Sequence, residues 1–506
     1  MLGFDVTTVR AWMIVAVCAA AAGLPPRALA TCAQLTALTI PDIRIESAVD
    51  VPPGGFTPPG GQAPLMATEE FCRVVAIAKP SADSDIRLEI WVPSLHRWNG
   101  KLLGVGNGGF SGAIPYWPML AALSRGYATV GTDTGHTADQ MEFGQGHPEK
   151  IVDWAYRSVH VMTAAAKLIV RDLTGRFPTW AYFQGCSTGG QQALSEAQRF
   201  PGDYDGIIAG APGNNRIRLI IGFLWSWAAT HGADGKPLLS SAQLAHLTRA
   251  VVARCDVVDG ARDGLIADPR RCKFEPAVLA CHGEAGENCL TQAQIDAVRK
   301  VYSGAKNPRT GAQLFPGWTL GSELGWGAYI LDPPEPVRLG LFRFFVYHDP
   351  AWDWKTFDWD RDLDYVESQV PYLSAVSPDL TGFKSRAGKL IMYTGWADPV
   401  VPAQDVVSYY EAVARSMGGV AKTREFFRFF AAPGMGHCGG GPGPDTFDAL
   451  SALEAWVERD AAPEQLIASH AMNGKVDRTR PLCAYPKVAR YGGKGSLDAA
   501  ESFSCR

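Results

Sequence analysis

Apolar and polar positions follow two periods along this chain, and the alternation between them predicts its elements. Residues 86–92 alternate every second position, as a half-buried strand does. Residues 101–105 form a short apolar run that ends in Gly106-Asn107-Gly108-Gly109, and residues 127–131 read as a further strand. Helical spacing follows over 155–170, then a strand over 180–183 that enters Gly185, then a helix over 191–199. The texture returns late, with strands over 389–393 and 424–430 and helices over 405–414 and 451–459. Strands and helices in turn imply a parallel sheet covered by helices.

Residues 214–372 break this rhythm. They carry four cysteines, many acidic turns, and Trp225, Trp227, Trp318, Trp326, Trp352, Trp354 and Trp359, seven of the fifteen tryptophans. This stretch is expected to be an inserted lid between two parts of one core, residues 31–213 and 373–506. Its tryptophans serve either as the lid's own core or as an aromatic-lined surface. The Gly- and Pro-rich stretch 52–64 reads as a surface loop.

A length of 506 residues fits two domains, or one with a large insertion. A net charge of −4 without a polybasic run gives nucleic acid and anionic membranes no support as partners. Arg10 precedes an apolar run over 11–23, and Ala28-Leu29-Ala30 offers small residues for cleavage. A membrane span needs about 20 apolar residues, so residues 1–30 read as a signal peptide rather than an anchor. The mature protein is then expected to be secreted or periplasmic, with no membrane attachment. Cleavage after Ala30 removes Cys18 and leaves ten cysteines, an even number that argues for disulfides in an exported chain. Short-loop pairs are open for 255–272, 281–289 and 483–505, and the absence of a C-x-x-C pair counts against a zinc ribbon.

Gly185-Cys186-Ser187-Thr188-Gly189 matches G-x-S-x-G between an expected strand and an expected helix. Such a turn needs small flanking residues and lifts the Ser187 hydroxyl into a cleft. The Thr188 N–H then faces a developing oxyanion. Serine needs a base, and His437 follows a late strand; His136 competes but reverses the order Ser, Asp, His. Asp398, in the loop after the strand before His437, is the expected acid, with Asp405 as the alternative at a helix start. A second oxyanion donor is expected at Gly109 or Gly108. Cys186 precedes Ser187 and Cys438 follows His437, so a 186–438 bridge would staple the two loops if they touch; a metal site of Cys186, His437 and Cys438 is the competing reading. Spaced aspartates over 255–272 suit Ca²⁺ or form a solvated acidic loop.

Taken together, Gly185-Cys186-Ser187-Thr188-Gly189-Gly190, Gly395-Trp396-Ala397-Asp398-Pro399 and Gly434-Met435-Gly436-His437-Cys438 resemble the signature of the tannase and feruloyl esterase family, which also holds the mono-(2-hydroxyethyl) terephthalate hydrolases. The resemblance implies an α/β-hydrolase core, a mostly parallel sheet with helices on both faces, carrying a large inserted lid. It implies a Ser187, Asp398, His437 triad and disulfides Cys32–Cys72, Cys186–Cys438, Cys255–Cys272, Cys281–Cys289 and Cys483–Cys505. It also implies structural Ca²⁺ in the lid, held by Asp256, Asp259 and Asp263 side chains and the Ala261 and Leu265 carbonyls. The implied substrate is a small ester of an aromatic acid, hydroxycinnamic or gallic in type. Thr188, where terephthalate hydrolases can carry an acid, and Val401, where an aromatic is expected for a terephthalate pocket, weigh against that alternative. Arg343 is a candidate for a phenolate or carboxylate, or a plain surface residue. A catalytically silent binding protein is the alternative of another class; the intact set of Ser187, Asp398 and His437 argues against it.

Overall fold

The computed structural model describes residues 29–59, 64–137 and 141–506. The expected signal peptide therefore lies outside the described residues, apart from Leu29 and Ala30. Among the described residues nine strands form one sheet. In chain order they are β1 (Ile43–Val51), β2 (Phe71–Ala78), β3 (Ile86–Pro93), β4 (Lys101–Val105), β5 (Ala128–Thr132), β6 (Trp180–Cys186), β7 (Gly206–Gly210), β8 (Lys389–Gly395) and β9 (Phe427–Ala432). Their order in the sheet is β1-β2-β3-β5-β4-β6-β7-β8-β9. The first three pair antiparallel, as does β3 with β5. Every pairing from β5 onward is parallel.

The inner strands β5 and β7 are buried at every position, as expected of parallel strands covered on both faces. Helix α1 (Ser158–Thr174) shows how the covering works. Val159, Met162, Ala166, Ile169 and Val170 recur at helical spacing and are buried, and Gly175 ends the helix at φ 79°. Helix α2 (Thr188–Arg199) contributes Leu194 to the same apolar cluster. On the other face α7 (Ala449–Arg459) contributes Leu450, Leu453 and Trp456. With α3 (Arg216–Thr230), α4 (Ser241–Cys255), α5 (Gln292–Ser303) and α6 (Ala403–Ser416), these are the longer helices among the described residues.

Between β7 and β8, which are sheet neighbours, the chain leaves the core and returns. The two ends of this excursion are stitched together: Asn214 Nδ2 donates to the Ala375 carbonyl at 3.1 Å, and Ala375 N–H donates to the Asn214 carbonyl at 2.8 Å. Inside it the tryptophans pack on one another and on other rings. Trp225 meets Trp359 and Trp227 meets Trp354, each at 5.1 Å between ring centres, and Trp318 meets Trp326 at 5.4 Å. Trp227, Trp318 and Trp326 are buried. The aromatic excess is thus internal packing of the insertion. Helices α4 and α5 both begin with a capping box, Ser240 with Gln243 and Thr291 with Gln294.

The strand expected at 424–430 begins three residues later, at Phe427. Residues 420–423 form a helical turn instead, closed by the Thr423 and Arg424 N–H groups on the Gly419 and Val420 carbonyls. Ten of the eleven cysteines form five disulfides, 32–72, 186–438, 255–272, 281–289 and 483–505. Such a set fits an oxidising compartment. No helix among the described residues is long and apolar enough to cross a membrane.

Candidate active site

Ser187 stands at the turn between β6 and α2 with φ 62° and ψ −117°. This is a strained conformation for a residue with a side chain, and the surroundings impose it. Ser187 N–H donates to the Gly210 carbonyl at 2.9 Å, and its own carbonyl accepts from Gly213 and Gln191 at 3.1 and 3.0 Å. The turn is too tight for side chains beside it. A Cβ on Gly185 would lie 2.5 Å from the Gly189 carbonyl carbon, and one on Gly106 would lie 2.6 Å from the Gly189 Cα. Gly106 and Gly185 are therefore required by one close backbone approach to Gly189.

Asp398 lies in the loop after β8 and is fully buried. Its Oδ1 accepts from the N–H groups of Val400 and Val401 at 2.7 and 3.0 Å. Its Oδ2 accepts from His437 Nδ1 at 2.8 Å. That bond puts the imidazole proton on Nδ1 and leaves Nε2 as an acceptor, the form a base needs. His437 itself follows β9 and stays partly exposed, at 19% of its side chain. The Cys186–Cys438 disulfide, with Cα atoms 5.9 Å apart, holds the serine turn against the histidine loop. With both cysteines in that bond, a metal site of Cys186, His437 and Cys438 is ruled out.

The competing residues lie elsewhere. His136 is buried, donates from Nε2 to the Phe110 carbonyl at 2.7 Å, and stacks on Phe143; it props the early loop. Asp405 begins α6, is buried, and accepts from Asn215 at 3.0 Å; burial pushes its carboxyl up to about 6.

Thr188 and Gly109 come together, since the Thr188 hydroxyl donates to the Gly109 carbonyl at 2.6 Å. Gly109 adopts φ 58°, which favours glycine. The early loop is further tied to α2 by Asn107 N–H on Gln192 Oε1 at 2.9 Å. A nucleophile turn, a histidine oriented by a buried acid, and an early loop tied to the serine helix are the parts of acyl transfer.

A model of tannase and feruloyl esterase matches residues 72–506. The chain belongs to the tannase and feruloyl esterase family. An uncharacterized esterase of Xanthomonas campestris pv. campestris is 39% identical, over 94% of this chain and 91% of its own. A mono(2-hydroxyethyl) terephthalate hydrolase of Piscinibacter sakaiensis is 32% identical over 88% of this chain and 86% of its own. The crystal structure of feruloyl esterase B from Aspergillus oryzae superposes with a TM-score of 0.89 at 30% identity, covering 94% of this chain and 99% of that one. The protein is a carboxylic ester hydrolase of the α/β-hydrolase type.

In this esterase the insertion sits over the acid loop. Thr319 Oγ1 donates to the Trp396 carbonyl at 2.5 Å, and Gly325 is packed so closely on Pro399 that a Cβ would lie 2.6 Å from its ring. Val401 is buried beside Asp398. Arg343 is engaged away from the triad, in a two-pronged pair with Glu335 at 2.8 and 3.0 Å. Sequence reasoning singled out that arginine and missed Arg216, which donates to the Thr188 hydroxyl at 2.8 Å. No local pattern marks Arg216, because its contact spans the core and the start of the insertion.

The loop closed by Cys255–Cys272 collects the aspartates expected to hold Ca²⁺. Asp256 Oδ1 accepts from Asp263 and Gly264 N–H, Asp259 Oδ1 from Ala261 N–H, and Asp263 Oδ1 from Leu265 N–H. Arg480, from the strand Lys475–Cys483, is the cation that meets Asp263, at 2.6 Å. Burial and neighbouring carboxylates hold Asp256 and Asp259 above the usual aspartate range. Three carboxylates in one closed loop, two of them beside Arg480, fit a hard divalent cation in the chemistry of their donors.

Proposed function

We propose that this esterase hydrolyses esters of hydroxycinnamic or gallic acids through an acyl-enzyme on Ser187. The observation that carries the assignment is the Asp398–His437 hydrogen bond at 2.8 Å, in a loop bridged to the serine turn by Cys186–Cys438. His437 Nε2 takes the Ser187 proton as Oγ bonds to the ester carbonyl carbon. The carbonyl oxygen gains negative charge between the N–H groups of Thr188 and Gly109. The C–O bond to the alcohol breaks, and His437 returns the proton to the leaving alcohol. Water then attacks the acyl-enzyme with His437 again as base. Feruloyl esterase B as a structural relative supports an aromatic acyl group. The Thr188 hydroxyl, where terephthalate hydrolases can carry an acid, ranks a terephthalate monoester below it.

Initial rates on methyl ferulate, methyl gallate, mono-(2-hydroxyethyl) terephthalate and p-nitrophenyl butyrate test this. The expected ranking puts one of the first two highest in kcat/KM. A highest value for the terephthalate monoester would overturn the substrate class. Failure to hydrolyse any of them, or to label with a serine-directed phosphonate, would reduce the protein to a binding role.

The export of the mature chain, secreted or periplasmic, belongs to the same reading and is supported by its disulfides. So does Ca²⁺ held by Asp256, Asp259, Asp263 and the Ala261 and Leu265 carbonyls; when bound, the ion would neutralise the loop and brace the insertion without entering the chemistry. Chelation with EGTA is expected to lower Tm, and Ca²⁺ to restore it, because a ligand at 100 times its Kd stabilises by about 2.7 kcal/mol. Asp256→Asn should abolish the Ca²⁺-dependent shift. Equal Tm with EGTA and with Ca²⁺ would remove the ion from the account.

A further inference from the structure

Arg216 is the first residue of α3, where the chain enters the insertion, and it is 2% exposed. Its Nε donates to Gln191 Oε1 at 2.7 Å and its Nη2 to Thr188 Oγ1 at 2.8 Å. Both acceptors are neutral. The guanidinium lies 5.5 Å from the ring centre of Phe110 and 5.4 Å from that of Trp154, two rings stacked 4.5 Å apart. Among the described residues no carboxylate pairs with it, and the charge acting on it is the guanidinium of Arg338, of like sign. Burial, with Arg338, pulls its pKa down to about 9, which still leaves it cationic at neutral pH.

An unpaired buried cation is costly, and proteins normally set an anion beside it. Here the place where negative charge arises is one hydrogen bond away. The Thr188 hydroxyl accepts from Arg216 and donates onward to the Gly109 carbonyl. Arg216, Thr188 and Gly109 thus form a chain that links the two residues whose N–H groups are the expected oxyanion donors, through the Thr188 hydroxyl and the Gly109 carbonyl. Its polarity is uniform: each donor points toward the early loop. The stacked aromatic pair beside the guanidinium and its burial keep the local dielectric low, which strengthens its electrostatic reach.

We propose that Arg216 is a positioning residue for ester hydrolysis. Through the Thr188 hydroxyl it fixes the Thr188 and Gly109 N–H groups, and its charge stabilises the oxyanion that forms as Ser187 attacks. The proposal rests on the triad and oxyanion assignment above and adds a buried electrostatic support to it. It also joins the insertion to the chemistry, because Arg216 is held by the helix with which the insertion begins.

The test compares Arg216→Gln, Arg216→Lys and Thr188→Val with the wild type on methyl ferulate. Rates are normalised to active sites titrated with a serine-directed phosphonate, so that misfolded protein does not count. Losing a direct oxyanion donor costs about 100- to 1,000-fold in kcat; a charge acting through one intervening hydroxyl is expected to cost about 10- to 100-fold. Arg216→Gln should therefore lower kcat by that factor with KM within about 3-fold. The Ki of the trifluoromethyl ketone analogue of ferulic acid, which forms a charged hemiketal on Ser187, should rise by the same factor as kcat/KM falls. Arg216→Lys, which keeps the charge, should recover part of the loss. Thr188→Val keeps the backbone donor and breaks the relay, so it should match Arg216→Gln, and the double variant should lose no more than either. Wild-type kcat per titrated site in Arg216→Gln, a loss confined to KM, or a ketone Ki that does not move would each overturn the proposal. If Arg216→Gln does not fold, wild-type kcat in Thr188→Val overturns it alone. An inactive wild type would instead sink the functional assignment, so the two failures are distinguishable.

Discussion

Ser187→Ala is expected to lower kcat on methyl ferulate or methyl gallate by about 10⁶-fold, the size of loss seen when a triad serine is removed. The change deletes one oxygen and leaves the Cβ that already occupies the strained turn, so the φ of 62° and the hydrogen bonds to Gly210, Gly213 and Gln191 remain available. Tm should therefore stay within a degree or two by design of the substitution, and KM should change little, because the ground-state ester keeps its surroundings. The residual rate, about 10³- to 10⁴-fold above water, is what the oxyanion donors and binding supply without a nucleophile. A variant that retained a hundredth of the wild-type kcat would show that Ser187 is not the nucleophile.

Asp398→Asn is expected to cost about 10⁴-fold in kcat. The buried carboxylate serves two sets of donors at once, the Val400 and Val401 N–H groups on one oxygen and His437 on the other. Asparagine keeps its oxygen for the backbone pair and must then turn its amide NH₂ toward the imidazole. His437 answers by accepting on Nδ1 and carrying its proton on Nε2, where it no longer functions as a base toward Ser187. The loss is one of tautomer rather than of position. Loss of the downfield Nδ1 proton resonance together with kcat would confirm it. Asp405→Asn, at the start of α6, is expected to leave kcat within a few-fold, and a large loss there would reassign the acid.

The parts of this site that were legible in the sequence are those set by local sterics and chain order. Gly185 declares the serine turn because a side chain there would strike the Gly189 backbone, and Asp398 and His437 each follow a strand whose apolar run is visible. The partner of Arg216 was not legible, because a contact 28 residues away along the chain leaves no periodic trace. Arg343 reads as a cation for a phenolate or carboxylate or as a plain surface residue, and Glu335 eight residues earlier satisfies it. In the fold, the expected strands at 86–92, 101–105 and 180–183 correspond to β3, β4 and β6. Strands β1 and β2 escaped notice since their antiparallel pairing joins residues 43–51 to 71–78 across the Gly- and Pro-rich stretch. Strand β7 is only five residues, two of them glycine, too short for its apolar centre to stand out.

Strands β7 and β8 run parallel, so the chain leaves one end of the sheet and re-enters at the other, yet the insertion between them begins and finishes at one spot beside it. The clasp of Asn214 with Ala375 closes that spot like the neck of a bag. A lineage can thus trade one insertion for another of different length without rethreading a strand or disturbing the order of the core. The cost of such an exchange falls on the few contacts that reach the acid loop, Thr319 on Trp396 and Gly325 on Pro399, and on Arg216 at the neck itself. Chimeras spliced at the clasp are the natural unit for exchanging insertions between relatives, and splices elsewhere in the insertion would cut through its tryptophan packing.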